Sequence, residues 1–208
     1  MSLELLVLTL DDVLIRTDEL RRAGIDLAPR ERGTLRAHED AFIAACGQQA
    51  IPVRPQALAL MRSAESGGAR LALAAPVSSR MLCALLDGAI GPDWTDRFAV
   101  VATADALSAR ETEADLYRLV LRTAEAPAHR ALLVGATQGS LRAASGIGMH
   151  TAAVLPPGSD TPHHAAASIT LSGTARAAWP DFHVLESIVA GQHGGHSASR
   201  AMAEPVTN

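Results

Sequence analysis

The feature that most restricts what this chain can become is a series of six short apolar runs, each separated from the next by sequence with helical spacing. The runs are Leu3–Leu10, Arg70–Ala75, Phe98–Thr103, Ala131–Gly135, Thr151–Leu155 and Ser168–Leu171. None alternates polar with apolar residues, which is the pattern of strands buried on both faces. Helical periodicity appears in Thr34–Cys46, Arg54–Glu65, Ser78–Leu86, Glu113–Ala124, Ser140–Gly146 and Asp181–Ala190. Strands and helices in this order predict an α/β fold, a doubly wound parallel sheet covered by helices on both sides.

One stretch interrupts the alternation. From Arg16 to Ala50 the sequence is polar and helical, broken near Gly24 and Pro29, with no strand-like run. A small helical insertion after the first strand is expected there. The organisation predicted is a core of residues 1–15 and 51–190, the insertion 16–50, and a flexible Gly/Ser/His-rich tail 191–208.

Composition narrows the functions. With 208 residues, 48% of them hydrophobic, the chain can bury a sizeable core, and with only 3% aromatics that core must be Leu, Val, Ile and Ala. A net charge of −4 without a basic run argues against a nucleic-acid surface. No stretch approaches the length of a membrane span, and MSLELLVLTLDD lacks the basic start of a signal peptide. A soluble, cytoplasmic protein is expected. All 18 basic residues other than histidine are arginine, in keeping with GC-rich coding, so no mechanism here can use a lysine ammonium. Cys46 and Cys83 both lie in Ala/Leu-rich helical sequence and are expected to be buried thiols.

Ligands of such sheets lie beyond the carboxyl ends of the strands, so residues 9–12, 74–79, 103–111 and 135–140 carry the search. Asp11, Asp12, Asp18 and Glu19 form an acidic group, read as loop charges and first-turn carboxylates of a helix ahead of a divalent-ion site. Gly135–Ser140 turns from strand into helix, and its amides, with Thr137 and Gly139, offer a place for a small anion. His163, His164, His193 and His196 lack the cysteine or carboxylate partners of a metal set. Ser78 and Ser79 read as helix caps, because no His/Asp pair can be assigned to them.

Taken together, these segments resemble the haloacid dehalogenase (HAD) superfamily. LLVLTLDDVLIRTDEL is similar to its first strand and loop, an apolar run followed by D-x-D-G-[TV]-L, with Val13-Leu14 and Thr17–Leu20 holding the register. RLALAAPVSSRMLCALL resembles the second-motif strand and helix. GPDWTDRFAVVATADALSARETEADLYRLVL resembles the segment carrying the third-motif lysine, and ALLVGATQGSLRAASGIGMHTAAV the fourth motif. The resemblance runs from Leu3 to about Ala190. Its finer features, GPDWTDRF and GMHTAAV, are similar to the CbbY-like branch, the xylulose bisphosphate phosphatases associated with carbon fixation. It implies a Rossmann-like core, a helical cap after the first strand, and Mg²⁺-dependent hydrolysis of a small sugar phosphate.

The residues that would carry that chemistry depart from the pattern. The resemblance places the aspartate nucleophile on Thr9, whose hydroxyl is un-ionised at neutral pH and would form a stable phosphate ester. The general acid/base is kept as Asp11, but the following glycine is Asp12. The second-motif hydroxyl falls on Ala75, and the third-motif lysine on Glu111, with Arg110 beside it. The acidic pair that holds Mg²⁺ falls on Gly135 and Ala136, leaving Thr9 and Asp11 as the other metal positions. Phosphoryl transfer rests on positioning and charge neutralisation. Loss of a single electrostatic donor costs about a hundred- to a thousand-fold in rate. The interval from Asp11 to Ala75 is also shorter than in fully capped members, which implies a truncated cap.

The function expected is therefore that of a HAD-like protein without phosphatase activity, a pseudophosphatase that acts by binding or regulation. The alternative is a phosphatase of low or altered activity. The candidate ligand-binding residues are Asp11, Asp12, Arg110, Thr137 and Gly139. No cofactor is expected, Mg²⁺ entering only with the alternative. The partners expected are a second copy of the chain or another protein, and a small anionic ligand, with no nucleic acid and no membrane.

Overall fold

The computed structural model describes residues 2–25, 27, 35–108, 110–155, 167–172, 174 and 177–200, with backbone alone at 35 and 192–200. Six strands form one sheet: β1 (Leu5–Thr9), β2 (Arg70–Ala75), β3 (Val100–Thr103), β4 (Ala131–Gly135), β5 (His150–Val154) and β6 (Ile169–Leu171). All pair in parallel, in the order β3-β2-β1-β4-β5-β6. The chain winds outward from β1 to β3, returns to β4, and winds outward the other way. The crevice between β1 and β4 is the switch point where such sheets hold ligands.

Every residue of β1, β4 and β5 is buried, because helices cover both faces. The two-residue strand period divides their side chains cleanly between two cores. Leu6, Leu8, Leu71, Leu73, Leu132 and Val134 face one core, and Leu5, Val7, Ala72, Ala74, Ala131 and Leu133 the other. The first is closed by α3 (Pro55–Ser66), α4 (Ser79–Ile90) and α7 (Phe182–Arg200), through Leu60, Met61, Leu82, Leu85, Phe182 and Leu185. The second is closed by α5 (Glu113–Thr123) and α6 (Gln138–Gly146), through Leu116, Tyr117, Val120 and Ala144. The predicted doubly wound α/β fold is present, and each predicted strand lies within two residues of its observed bounds.

The insertion after β1 contains α1 (Thr17–Arg22) and α2 (Leu35–Cys46), and among its described residues no strand forms, the nearby isolated bridges being Asp11–Ile15 and Ile15–Val53 at its two ends. Helix α1 was not expected as a separate element. It is only six residues long, too short for its periodicity to show in the sequence.

The α7 backbone is helical through Arg200 and so runs into the stretch where the flexible tail is expected. Phe182, Leu185 and Val189 anchor its first half in the core, and extending a nucleated helix is far easier than starting one, even across glycines. One expectation, the burial of Cys83, needs correction: Cys83 is exposed, whereas Cys46 is buried. The inward face of α4 is made by Met81, Leu82, Leu85 and Leu86, which leaves position 83 on the opposite side. The predicted His163-His164 pair and residues 201–208 lie outside the described residues. Among the described residues no helix is long and apolar enough to cross a membrane.

Candidate functional site

A cavity of about 410 Å³ opens beside the β1/β4 switch point. Thr9 and Asp11 reach it from the end of β1, and Thr137 and Ser140 from the turn after β4. Glu111, Thr112, Glu113 and Leu116 come from the start of α5, with Leu107 and Pro76 completing the wall. Thr9 is the last residue of β1, paired with Ala74 and 7% exposed. Its hydroxyl thus stands where the strand delivers a residue to the crevice.

Asp11 lies two residues beyond. Its Oδ1 is buried and has no hydrogen-bond partner. Burial pushes its carboxyl up to about 6, and the negative charges of Asp12 and Glu113 add to the effect while Arg21 opposes it. Glu113 Oε1 accepts the Tyr117 hydroxyl at 2.8 Å, and burial, helped by that carboxylate, raises the Tyr117 phenol well above its ordinary value. Glu111 Oε2 accepts the Ser108 amide at 2.6 Å, which holds its carboxyl below the usual range.

The turn into α6 is built around two hydroxyls. Thr137 is the N-cap and accepts the Ser140 amide at 3.1 Å, and the two side-chain oxygens lie 2.5 Å apart. Ser140 Oγ also donates to the Thr137 carbonyl at 3.0 Å. One first-turn amide is therefore already satisfied from within. Gly135, which the resemblance aligns with a metal ligand, is closely packed: a Cβ there would meet Ser140 Oγ at 3.3 Å.

The predicted site residues do not all converge. Thr9, Asp11, Glu111 and Thr137 line the cavity. Gly139 lies at its edge, where an added Cβ would stand 3.7 Å from Glu113 Oε2. Ala75 ends β2, with its neighbour Pro76 taking the lining position. Arg110 is exposed and does not line the cavity. Asp12 and Ala136 instead border a smaller neighbouring cavity of about 170 Å³, with Arg16, Asp18, Arg54, Val154 and Leu155. Arg54 is 3% exposed, donates from Nε to the Asp12 carbonyl at 3.1 Å, and stands 5.8 Å from the Trp179 ring centroid. The remaining acidic residues are engaged locally: Asp18 with Arg22 at 2.8 Å, and Glu19 with Arg16. Ser78 caps α4 as expected, and Ser79 Oγ donates to Asp105 at 2.6 Å.

Glu113, Tyr117 and Arg54 were missed by the sequence reading. Glu113 lies two positions beyond residues 103–111, the stretch after β3 in which the sequence places the site. Tyr117 follows Glu113 by one helical turn, a spacing that would have paired them had that carboxylate been considered.

The donor set does not suit magnesium, which takes oxygen ligands and usually one or two carboxylates. At the positions the resemblance assigns to the ion, Thr9 offers a hydroxyl and Gly135 and Ala136 no side-chain oxygen. Among the described residues, no three His, Cys, Asp or Glu side chains form a group able to hold a metal. What the cavity offers is carboxylate and hydroxyl oxygen, with no Arg or His among its described lining residues.

No family model matches the chain. It is similar to Protein CbbY of Cereibacter sphaeroides, 32% identical over 128 residues, which are 62% of this chain and 55% of that protein. It is also similar to the plasmid-borne Protein CbbY of Cupriavidus necator, 31% identical over 105 residues, 50% of this chain and 41% of that one. The aligned part thus spans about half the length of these relatives. Among solved structures, CbbY from Rhodobacter sphaeroides in complex with phosphate superposes with a TM-score of 0.66 at 27% identity, covering 81% of this chain and 93% of that one. β-Phosphoglucomutase from Clostridium difficile superposes with a TM-score of 0.69 over 92% of this chain and 99% of that one, and at 12% identity it shows the fold alone. By sequence and by fold, then, the chain is CbbY-like and has the fold of the haloacid dehalogenase structures.

Proposed function

We propose that this chain is a HAD-fold protein that has lost phosphatase chemistry and acts by binding, either a small ligand in the β1/β4 cavity or a protein partner. The observation that carries this reading is Thr9, a buried hydroxyl at the end of β1 where the resemblance calls for a carboxylate nucleophile. Around it, Glu111 stands in place of the lysine, and Gly135 and Ala136 in place of the acidic pair. A phosphate dianion entering the cavity would meet Asp11, Glu111 and Glu113 with no cation on the described lining. The same charge favours a neutral or cationic guest over the small anion suggested by the amides of the α6 turn, one of which Thr137 already engages.

Hydrolysis of p-nitrophenyl phosphate with Mg²⁺ tests the reading. The expected result is no turnover above that of buffer. Clear turnover that disappears in Asp11→Asn would overturn it and establish the competing reading, a phosphatase of low or altered activity toward a small sugar phosphate. One feature favours that competitor: Asp11 is retained in the cavity, and a CbbY structure from Rhodobacter sphaeroides contains xylulose-1,5-bisphosphate.

The two helices among the described residues of the insertion support a reduced cap in place of a full one. The expected location is the cytoplasm. The macromolecular partner proposed is a second copy of the chain or another protein, and light scattering after size exclusion decides the first, since a strict monomer rules it out.

A further inference from the structure

In a capped phosphatase the helical insertion is a lid that opens and closes over the substrate. We infer that here the insertion is instead a fixed buttress of the core, so that the β1/β4 cavity is reached without any opening or closing of a cap. The inference does not depend on whether the chain hydrolyses phosphate.

Three independent features of the insertion carry it. First, it has no hydrophobic core of its own among the described residues. Leu20, Ile25, Phe42 and Cys46, each no more than 4% exposed, belong to the same continuous cluster as Leu8 of β1 and Leu82, Leu85 and Leu86 of α4. A lid that swings must keep its apolar side chains on itself or expose them at each opening, at roughly 25 cal/mol for every Å² uncovered. Separation here would strip apolar surface from both sides of the join.

Second, α2 packs against α4, and polar contacts bind the same seam. Arg80 of α4 pairs with Glu39 at 3.2 Å and Asp40 at 2.9 Å. Gly88 of α4 faces the junction, where a Cβ would touch Ile51 Cγ1 at 3.4 Å and lie 3.9 Å from the Cys46 carbonyl. The junction is thus packed at ordinary van der Waals distance from the α4 backbone.

Third, the two connections that would serve as the hinge are tied to each other and to the core. Arg16 N donates to the Pro52 carbonyl at 2.9 Å and Arg54 N to the Leu14 carbonyl at 2.9 Å, around the Ile15–Val53 bridge. Arg54 then reaches from its side chain to the Asp12 carbonyl. Hinges are segments free to absorb backbone rotation, and here both backbones are hydrogen-bonded as a ribbon.

Native-state hydrogen exchange of the full chain tests this directly. Amides of residues 41–46 in α2 are expected to exchange within about tenfold of those of residues 82–86 in α4, because both open only with the core. Exchange of α2 a hundredfold or more faster, with α4 still protected, would show a separately moving lid and overturn the inference. A second measurement uses Phe42→Ala, with Phe42→Leu should the alanine variant not fold. Denaturation is followed, in a Trp179→Phe background that leaves one tryptophan, by the fluorescence of Trp94, which packs in the core beyond α4, and by far-UV circular dichroism. The buttress requires both signals to shift to a lower midpoint together. An unmoved Trp94 transition would exclude it.

Discussion

Asp12 and Thr17 hold each other through two reciprocal hydrogen bonds. The Asp12 amide donates to Thr17 Oγ1 at 3.1 Å, and the Thr17 amide donates to Asp12 Oδ1 at 3.0 Å. The pair closes the loop between β1 and α1 and accounts for an unusual backbone, since Asp12 has φ of 55°. Asp tolerates that left-handed conformation better than most residues when its side chain bonds locally. The extra carboxylate therefore serves the turn and is not among the lining residues of the β1/β4 cavity.

Removing either partner should weaken the fold. Thr17→Val is expected to cost about 1 kcal/mol of stability. Asp12→Ala should cost more than Asp12→Gly, because alanine retains the strain of positive φ and glycine relieves it. Urea unfolding of the three variants orders them, and an alanine variant as stable as the glycine one would contradict the assignment.

Asp11 makes stability depend on pH in a direction opposite to that of most carboxylates. Its folded value of about 6 lies above the ordinary 3.8, so the folded state holds the proton more tightly than the unfolded chain does. The favourable contribution is fully present below about pH 4, and it is lost as pH rises through 6. Asp11→Asn should therefore stabilise the protein at pH 8, by an amount on the order of 2–3 kcal/mol at most, and change little at pH 4. Denaturation midpoints at the two pH values provide the check, and an equal shift at both would refute the assignment.

Arg54 is a buried cation that joins the end of the insertion to the loop carrying Asp12, over the face of Trp179. Arg54→Met keeps much of the volume but removes the donors, and a loss of about 2–4 kcal/mol is expected. Arg54→Lys should fall closer to the methionine variant than to the native protein, because an ammonium cannot reproduce a planar guanidinium stacked on a ring. Thermal unfolding distinguishes these outcomes.

The two thiols should react at very different rates. Cys83 is exposed, while Cys46 is buried and its thiol is pushed up to about 11 by that burial. One equivalent of a thiol reagent such as dithiobis-nitrobenzoate is expected to be consumed rapidly by the native protein, and the second only after unfolding. Rapid modification of both would mean that the α2–α4 seam opens, and would count against the buttress as well.

The sequence by itself determined the sheet. Six apolar runs without alternation can be buried only in the middle of a two-sided layer, and that physical demand leaves little choice of fold class. It also determined that Thr9, Gly135 and Ala136 bring no carboxylate, whatever the chain does in space. Tertiary structure alone decided what stands in its place. Whether Asp12 faces the cavity or its own turn depends on one backbone dihedral and a threonine five residues on. That Glu113 joins Asp11, whereas Arg110 does not, depends on where α5 begins relative to β1. Cys46 and Cys83 have the same kind of neighbours in sequence, and helix phase against the core separated them. Local composition reports what a residue can do, but the partner that decides whether it does so is brought by a distant segment, and the energy of that meeting is not written in either segment alone.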